Sequence, residues 1–350
     1  MSASPVPPLE HAIRQLAMGA SLTADESRAA FGTVMSGEAT VAQVAALLVG
    51  LRVKGETPEE VAGAAGALRG AMVHLAADRP EDLVDTCGTG GGAVGTFNIS
   101  TAAALLAAGA GVRIAKHGNR SFTSQCGSAD VLEALGVPIE VAVPVMERAL
   151  REAGIVFMFA PLMHPAMRHV GPVRRELGIP TVMNIVGPLA NPAGAGRQVV
   201  GVADARRVPL IAGALRTLGT IHALVVHGEP GMDEISPLGT TQVLEIRDGA
   251  VTEWTLDPAY FGFAPGSADE LTGGSPAANA AAVSAVLHGK ASPTATTAVL
   301  LNAAAALYVS SGGDADFGSA LDRVRAALRD GQGVEALNRL RQAYASSPSR

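Results

Sequence analysis

Cysteine is nearly absent from this 350-residue chain, which carries only Cys87 and Cys126. Two thiols cannot build a disulfide framework or a thiolate zinc site, and they read as small buried residues in a reducing compartment. Aromatic residues are also scarce, at 3%. That leaves little for an aromatic platform and favours helices packed closely through alanine and glycine. Long apolar runs are missing too. The longest, residues 102–112 and 298–309, fall short of the roughly 18 residues of a membrane span and read as buried helices. The N-terminal stretch MSASPVPPLEHAI has no charged segment leading into an apolar one, so no signal peptide is expected and the location reads as cytoplasmic. Charge of one sign is likewise lacking: 26 basic against 32 acidic residues give −6, which argues against a general nucleic-acid binder.

What is present is a 48% apolar content, enough for a sizeable core in two domains or one large one. The first ~75 residues carry helical signals throughout. Thr23 with Glu26, and Thr57-Pro58 with Glu60, have the capping pattern, and VAQVAALLVGLRVKG between them has apolar residues at helical spacing. From Leu83 short apolar strands alternate with helices: LVDT, VRIA, VPIE and IVFMF, then VVGVA, HALVVHG, TQVLEIRD and VTEWTL. Such alternation predicts a largely parallel sheet covered by helices. Residues 170–191, rich in proline and glycine, interrupt it and are expected to cross back to the helical part.

Three clusters carry chemistry. The first is DTCGTGGGAVGTFNIST, residues 85–101, where a strand, a glycine loop and a helix start follow one another. In an α/β sheet this puts the loop at the carboxyl ends of the strands, where amides at a helix N-terminus suit phosphate. Gly90-x-Gly92-x-x-Gly95 formally matches a dinucleotide fingerprint, but the next strand leads into KHGNRSFTS, not into an acidic residue for a ribose. No Gly-Lys-Ser/Thr follows either, which excludes a Walker loop. Asn98, Ser100 and Thr101 supply an amide and hydroxyls, and Lys116 and Arg120 add positive charge. The set suits a small, heavily phosphorylated sugar.

The second cluster, HGEPGMDEISP, sets Asp233 and Glu234 in a loop after a buried strand. Adjacent acids in a turn are ordinarily solvated, but beside a diphosphate they suit Mg²⁺ with Ser100 completing the set. The third, HPAMRHVGPVRRELGIPTVMNIVGPLANP, holds Arg168, Arg174 and Arg175. One of the last two is expected to face inward and grip a carboxylate through paired hydrogen bonds. His117 and His164 are further polar groups able to line that pocket, or structural histidines with their hydrogen bonds satisfied, the reading favoured for His164.

GTGGG...GTFNIST, KHGNRS...CGSADVLEALG, the HPAMRHV...GPLANP stretch and HGEPGMDEIS, in this order, resemble the anthranilate phosphoribosyltransferases of tryptophan biosynthesis from about residue 10 to 345. The resemblance implies a nucleoside phosphorylase/phosphoribosyltransferase-like fold. It has a small helical domain, residues 1–76 completed by part of 170–191, and an α/β domain, 77–169 and 192–346, with a mostly parallel central sheet. It implies a homodimer through the helical domain and transfer of the phosphoribosyl group of 5-phosphoribosyl 1-diphosphate to the amino group of anthranilate. Carried over by motif, Gly88, Gly91, Gly92, Thr96, Asn98, Ile99, Ser100 and Thr101 would hold the activated sugar. So would Lys116, His117, Gly118, Asn119, Arg120, Ser121, Phe122, Thr123, Ser124 and Ser128. Gly88, Asn119 and Arg174 would contact anthranilate, and Lys116, Arg174 and Asn119 would be the catalytic set. Two Mg²⁺ ions are implied, one on Ser100 and Glu234, a second on Asp233 and Glu234. Three departures stand out: Gly92 where the family's loop commonly has aspartate, Cys126 for the usual serine or alanine, and the uncommon SFTS. A pyrimidine nucleoside phosphorylase, which would not need the Asp-Glu pair, and a nucleic-acid-binding module, which would favour a basic groove, are the rival readings.

Overall fold

The computed structural model describes residues 6–121, 125–313 and 315–345. It opens with four helices, α1 (Pro8–Ala17), α2 (Ala24–Met35), α3 (Val41–Lys54) and α4 (Pro58–Gly70). The caps expected at Thr23 and Thr57 are present, and Thr40 with Gln43 adds a third capping box. Each such cap is worth about 1 kcal/mol. Glu60 is buried, but its charge is met: its carboxylate accepts from Leu22 N–H and from Lys54 Nζ, each at 2.9 Å. One side chain thereby ties together α3, α4 and the link before α2.

The remaining helices are α5 (Ile99–Gly109), α6 (Ser128–Ala134), α7 (Val143–Ala153), α8 (Ala160–Met163), α9 (Gly171–Leu177), α10 (Met183–Val186), α11 (Val208–Thr217), α12 (Pro276–Leu287), α13 (Pro293–Ser310), α14 (Phe317–Arg329) and α15 (Gln332–Ala345). The strands are β1 (Val84–Gly88), β2 (Ile114–Gly118), β3 (Ile155–Phe159), β4 (Arg197–Gly201), β5 (His222–Gly228), β6 (Thr241–Arg247) and β7 (Ala250–Leu256). They form one sheet in the order β3-β2-β1-β4-β5-β6-β7. The first five in that order run parallel, and β6 and β7 are antiparallel. The chain builds outward from β1 to β2 and β3, then returns to add β4 on β1's other side. The carboxyl ends of β1 and β4 therefore meet at a switch point, where an open α/β sheet leaves a crevice. Among the described residues, no helix is long and apolar enough to cross a membrane.

Alternating strand residues enter two cores. Val199, Leu224 and Val226 face one with α5 and α13, while Val200, Val225 and Ile246 face the other. That second core is continuous with the first four helices, α11 and the 166–190 stretch, through Leu47, Val61, Val173, Ile185 and Leu189. Val170, Val173, Val182, Ile185 and Leu189 thus lie in one core with the first four helices.

One expected strand is absent. VPIE, residues 137–140, alternates buried Val137 and Ile139 with exposed Pro138 and Glu140, yet lies in no ladder. Val137 N–H instead closes the end of α6 on Leu132 O at 2.9 Å after Gly136 turns the chain at φ 77°. Alternating burial here records packing at a helix end, not pairing.

The edge strand β3 is closed from the far end of the chain. Phe157 N–H donates to the Tyr344 hydroxyl at 3.0 Å, which donates to Phe157 O at 2.6 Å. Tyr344 is 1% exposed. Tyr344→Phe should lower the unfolding free energy by about 1–3 kcal/mol, because it leaves two buried main-chain groups unpaired. A urea titration checks this, and no change in midpoint would mean the pair contributes nothing net.

Candidate active site

Four of the parallel strands end in glycine: Gly88 on β1, Gly118 on β2, Gly201 on β4 and Gly228 on β5. None has room for a side chain. A Cβ on Gly88 would press on Asp233 Oδ2, on Gly201 on the Asp233 main chain, on Gly228 on Glu234 O and Ser236, and on Gly118 on Ser128 Oγ and the Phe157 ring. The loop after β5 therefore lies directly on the carboxyl edge of the sheet. Gly90 and Gly91 take φ of 72° and 79°, left-handed values that glycine adopts without strain.

The two acids of that loop each sit on a main-chain amide. Gly90 N–H donates to Asp233 Oδ2 at 2.7 Å, and Ser100 N–H at the start of α5 donates to Glu234 Oε1 at 3.1 Å. Desolvation raises both pKa values, and for Glu234 the neighbouring Asp233 raises it further. Among the described residues no group of three or more His, Cys, Asp or Glu is gathered for a metal. The donors present are two adjacent carboxylates and the Ser100 hydroxyl, which also bonds Glu234. That hard-oxygen set fits a Mg²⁺ ion that takes its other ligands from phosphate and water.

Lys116 sits behind Ser100 and does not project from the strand end. It is 3% exposed, and its Nζ donates to Thr86 O at 2.5 Å and Ser100 Oγ at 3.3 Å. Desolvation lowers its pKa, opposed by Asp85, Cys87 and Glu234. Asp85, fully buried, is pushed up to about 6 by burial while Asn191 Nδ2, donating at 2.8 Å, and His117 N–H hold it in place.

The other expected residues gather unevenly. Ile99 is buried apolar filling, so any contact it makes is through its main chain. Thr96 pairs with Thr272, and Thr101 is buried with its Oγ1 unpartnered among the described residues. The Asn119 carbonyl accepts from Ser128 Oγ at 3.3 Å. Arg120 is turned to Asp130 and Glu133 on α6, at 2.7 and 2.6 Å, so a phosphate would have to compete for it. Ser121 N–H points to Asp130, and Phe122, Thr123 and Ser124 lie outside the described residues. At Gly92 a Cβ would stand 3.2 Å from Asp233 Oδ1, so an aspartate there would add a third acid to the pair. Neither cysteine is in a disulfide; Cys126 is buried as expected, whereas Cys87 is partly exposed. Of the adjacent arginines, Arg174 is half-buried and Arg175 exposed. Desolvation lowers the Arg174 pKa, with no opposing acid among the described residues.

His117 and His164 pack ring on ring at 4.8 Å. Burial lowers His117 to about 3 and His164 to about 4, the latter tempered by the main chain of Ala190. Yet among the described residues neither His164 nitrogen has a hydrogen-bond partner, nor does His117 Nε2. The satisfied histidine expected at 164 is not what is found; the ring is held by packing on its neighbour.

Two family models cover the chain: the α/β domain of a glycosyl transferase family over residues 80–334, and that family's helical bundle domain over 10–72. A Roseiflexus anthranilate phosphoribosyltransferase is 48% identical over 334 residues, 95% of this chain and 97% of that protein. The chain belongs to the anthranilate phosphoribosyltransferase family. Among solved structures, the anthranilate phosphoribosyltransferase of Thermus thermophilus superposes with a TM-score of 0.89 at 40% identity, covering 96% of this chain and 99% of that one. The Saccharomyces cerevisiae enzyme, described in complex with PRPP and Mg, gives 0.87 at 27% identity over 97% and 98%. The helical domain, the α/β domain and the mostly parallel sheet are those of the family.

Motif reading misses one supporting residue of this phosphoribosyltransferase site. Asn302 on α13 is 3% exposed, accepts from Ile235 N–H at 3.0 Å and donates to Ile235 O at 2.9 Å, clasping the residue after Glu234. A lone asparagine inside the apolar run 298–309 was the available signal.

Gly201→Ala should displace the Asp233 main chain and lower kcat/KM on the order of 10²-fold, the usual cost of a misplacement near 1 Å. Steady-state kinetics on protein of unchanged circular dichroism checks this; near-normal activity would mean that the loop tolerates the shift. The histidines predict acid sensitivity. The unfolded chain protonates His164 near 6.5 and the native ring only near 4, so acid in that window favours unfolding. The penalty is absent above pH 7 and reaches about 2 kcal/mol by pH 5. His164→Leu should flatten the fall in urea midpoint between these pH values, whereas equal falls in both proteins would mean that the native ring is protonated.

Proposed function

We propose that this chain moves the phosphoribosyl group of 5-phosphoribosyl 1-diphosphate onto the amino group of anthranilate and releases diphosphate, the second step of tryptophan biosynthesis from chorismate. The observation that carries the reading is the seating of Asp233 and Glu234 on amides of the glycine loop and of α5. Amides there accept negative charge, and the acids beside them bring metal-binding oxygen to the same crevice. Breaking the anomeric bond puts positive charge on the sugar and negative charge on diphosphate. Gly90, Gly91 and the start of α5 would hold the diphosphate, and the Ser100 hydroxyl, braced from behind by Lys116, would donate to it. Mg²⁺, when bound by Ser100, Asp233 and Glu234 as one or two ions, supplies positive charge against the departing oxygens.

Arg174, with no acid beside it among the described residues, would receive the anthranilate carboxylate, and Asn119 and Gly88 would border the ring. The aromatic amine is neutral at pH 7 and needs no strong base. His117, held neutral there by burial that lowers it to about 3, would be at most an auxiliary acceptor. The helical unit of residues 1–76 with part of 170–191, and the α/β unit of 77–169 and 192–346, would then each bring one substrate's main contacts. A cytoplasmic location goes with this reading.

Dimerisation is supported by α3, which is apolar on two sides. Val44, Leu47, Leu48 and Leu51 are buried, while Ala42, Ala46 and Val53 at helical spacing are exposed, Val53 by 81%. A second copy of the chain is the partner that would cover that face.

Loss of anthranilate fluorescence should require both the activated sugar and Mg²⁺, and stop with a chelator. Consumption of thymidine with phosphate instead would point to phosphorolysis. Arg174→Ala should raise KM for anthranilate about 10- to 100-fold, the loss of a charged hydrogen-bonded contact, and barely change KM for the sugar. An unchanged anthranilate KM would remove Arg174 from the pocket. Ala46→Glu with Val53→Glu should turn a dimer into a monomer in sedimentation velocity, and a dimer that persists would place the interface elsewhere.

A further inference from the structure

The segment after Leu271 approaches the glycine loop from a part of the chain that no motif marks. Phe97 N–H donates to Leu271 O at 2.8 Å, and Gly273 N–H to Gly95 O at 3.3 Å. Next to this contact lies Asn279 on α12, 3% exposed in an alanine-rich helix. Its Oδ1 accepts from Gly274 N–H at 2.7 Å, and its Nδ2 donates to Asn98 Oδ1 at 2.9 Å. Asn98 in turn donates from Nδ2 to Cys126 O at 3.3 Å, and its Oδ1 also takes the Cys126 thiol at 3.4 Å.

The two ends of this relay are main-chain groups, and their polarity is not negotiable: an amide N–H only donates and a carbonyl only accepts. They fix which way round each side-chain amide must lie. Gly274 N–H requires the oxygen of Asn279, which turns the Asn279 nitrogen to Asn98. That requires the oxygen of Asn98, which turns the Asn98 nitrogen to Cys126 O. Among the described residues Asn98 then has one N–H to spare, the polarity an anionic ligand needs. Reversed, the same side chain would present an oxygen.

We propose that Asn279 is a positioning residue for the phosphoribosyl diphosphate site, holding the Asn98 amide in its donor orientation at the junction of α5 and the turn before α6. The proposal rests on the reading of Asn98 as a contact to the activated sugar. Asn279 acts through Asn98 and through Cys126, which both side chains meet, whereas a purely structural asparagine on α12 would affect both substrates, or neither.

A double-mutant cycle separates these roles. Asn279→Leu, Asn98→Ala and the double variant of the full-length protein are compared by calorimetric titration with 5-phosphoribosyl 1-diphosphate and Mg²⁺, and by steady-state kinetics. Each single change should weaken binding of the sugar about tenfold, the scale of one hydrogen bond to a charged group, with KM for anthranilate within about twofold. The double variant should bind no more weakly than Asn98→Ala alone, because the relay has nothing left to orient. Losses that multiply in the double variant, or normal binding by Asn279→Leu, overturn the proposal. Normal binding by Asn98→Ala would overturn it differently, by removing Asn98 from the site. If Asn279→Leu does not fold, Asn279→Asp takes its place. It keeps the shape and the acceptor for Gly274 but sets an oxygen against the Asn98 oxygen, and the same selective loss is expected of it.

Discussion

Two carboxylates resting on main-chain amides organise the centre of this protein. Asp233 on Gly90 and Glu234 on Ser100 join the loop after β5 to the loop after β1 and to the first turn of α5. Such amides attract anions, and the chain meets part of that attraction itself. The arrangement depends on what is missing beneath it, since Gly88, Gly201 and Gly228 have no side chains to hold the loop off the sheet. Asn302 then fixes the loop from above through both main-chain groups of Ile235.

The charged groups below the crevice are not there for stability. Burying Asp85 and Lys116 in neighbouring strands costs desolvation that an ion pair seldom more than offsets. What they obtain is position. Asp85 is held by Asn191 and by the His117 amide, and Lys116 by the Thr86 carbonyl, so Ser100 meets an ammonium whose place is set from several sides.

Much of this was legible in the sequence, for a physical reason. A phosphate cradle needs consecutive glycines before a helix, a metal needs neighbouring hard oxygens, and a carboxylate receptor needs a guanidinium, so residue type and spacing are enough to propose each of them. The helix caps at Thr23 and Thr57 are local in the same way. Glycines that make room leave no such trace. Gly201 and Gly228 look like any strand-ending glycine until Asp233 and Ser236 are found against them. Asn279 and Asn302 carry no motif, because Asn98 and Ile235, which they hold, lie far along the chain. The misread strand at residues 137–140 failed for the converse reason: in-and-out alternation is a statement about burial, and only a neighbour in the sheet makes it a strand.

The two cores have a consequence of their own. Val173, beside Arg174, belongs to the core it shares with the helical bundle, whereas Ile99 at the start of α5 belongs to the other. On the proposed reading, in which Arg174 receives the acid and α5 the sugar, nucleophile and electrophile rest on different cores joined by the strands that enter both. Their alignment would then follow from how those two cores pack on the shared strands. A conservative change at Leu47 or Val61, remote from any ligand, would be felt as a tilt in the line of attack.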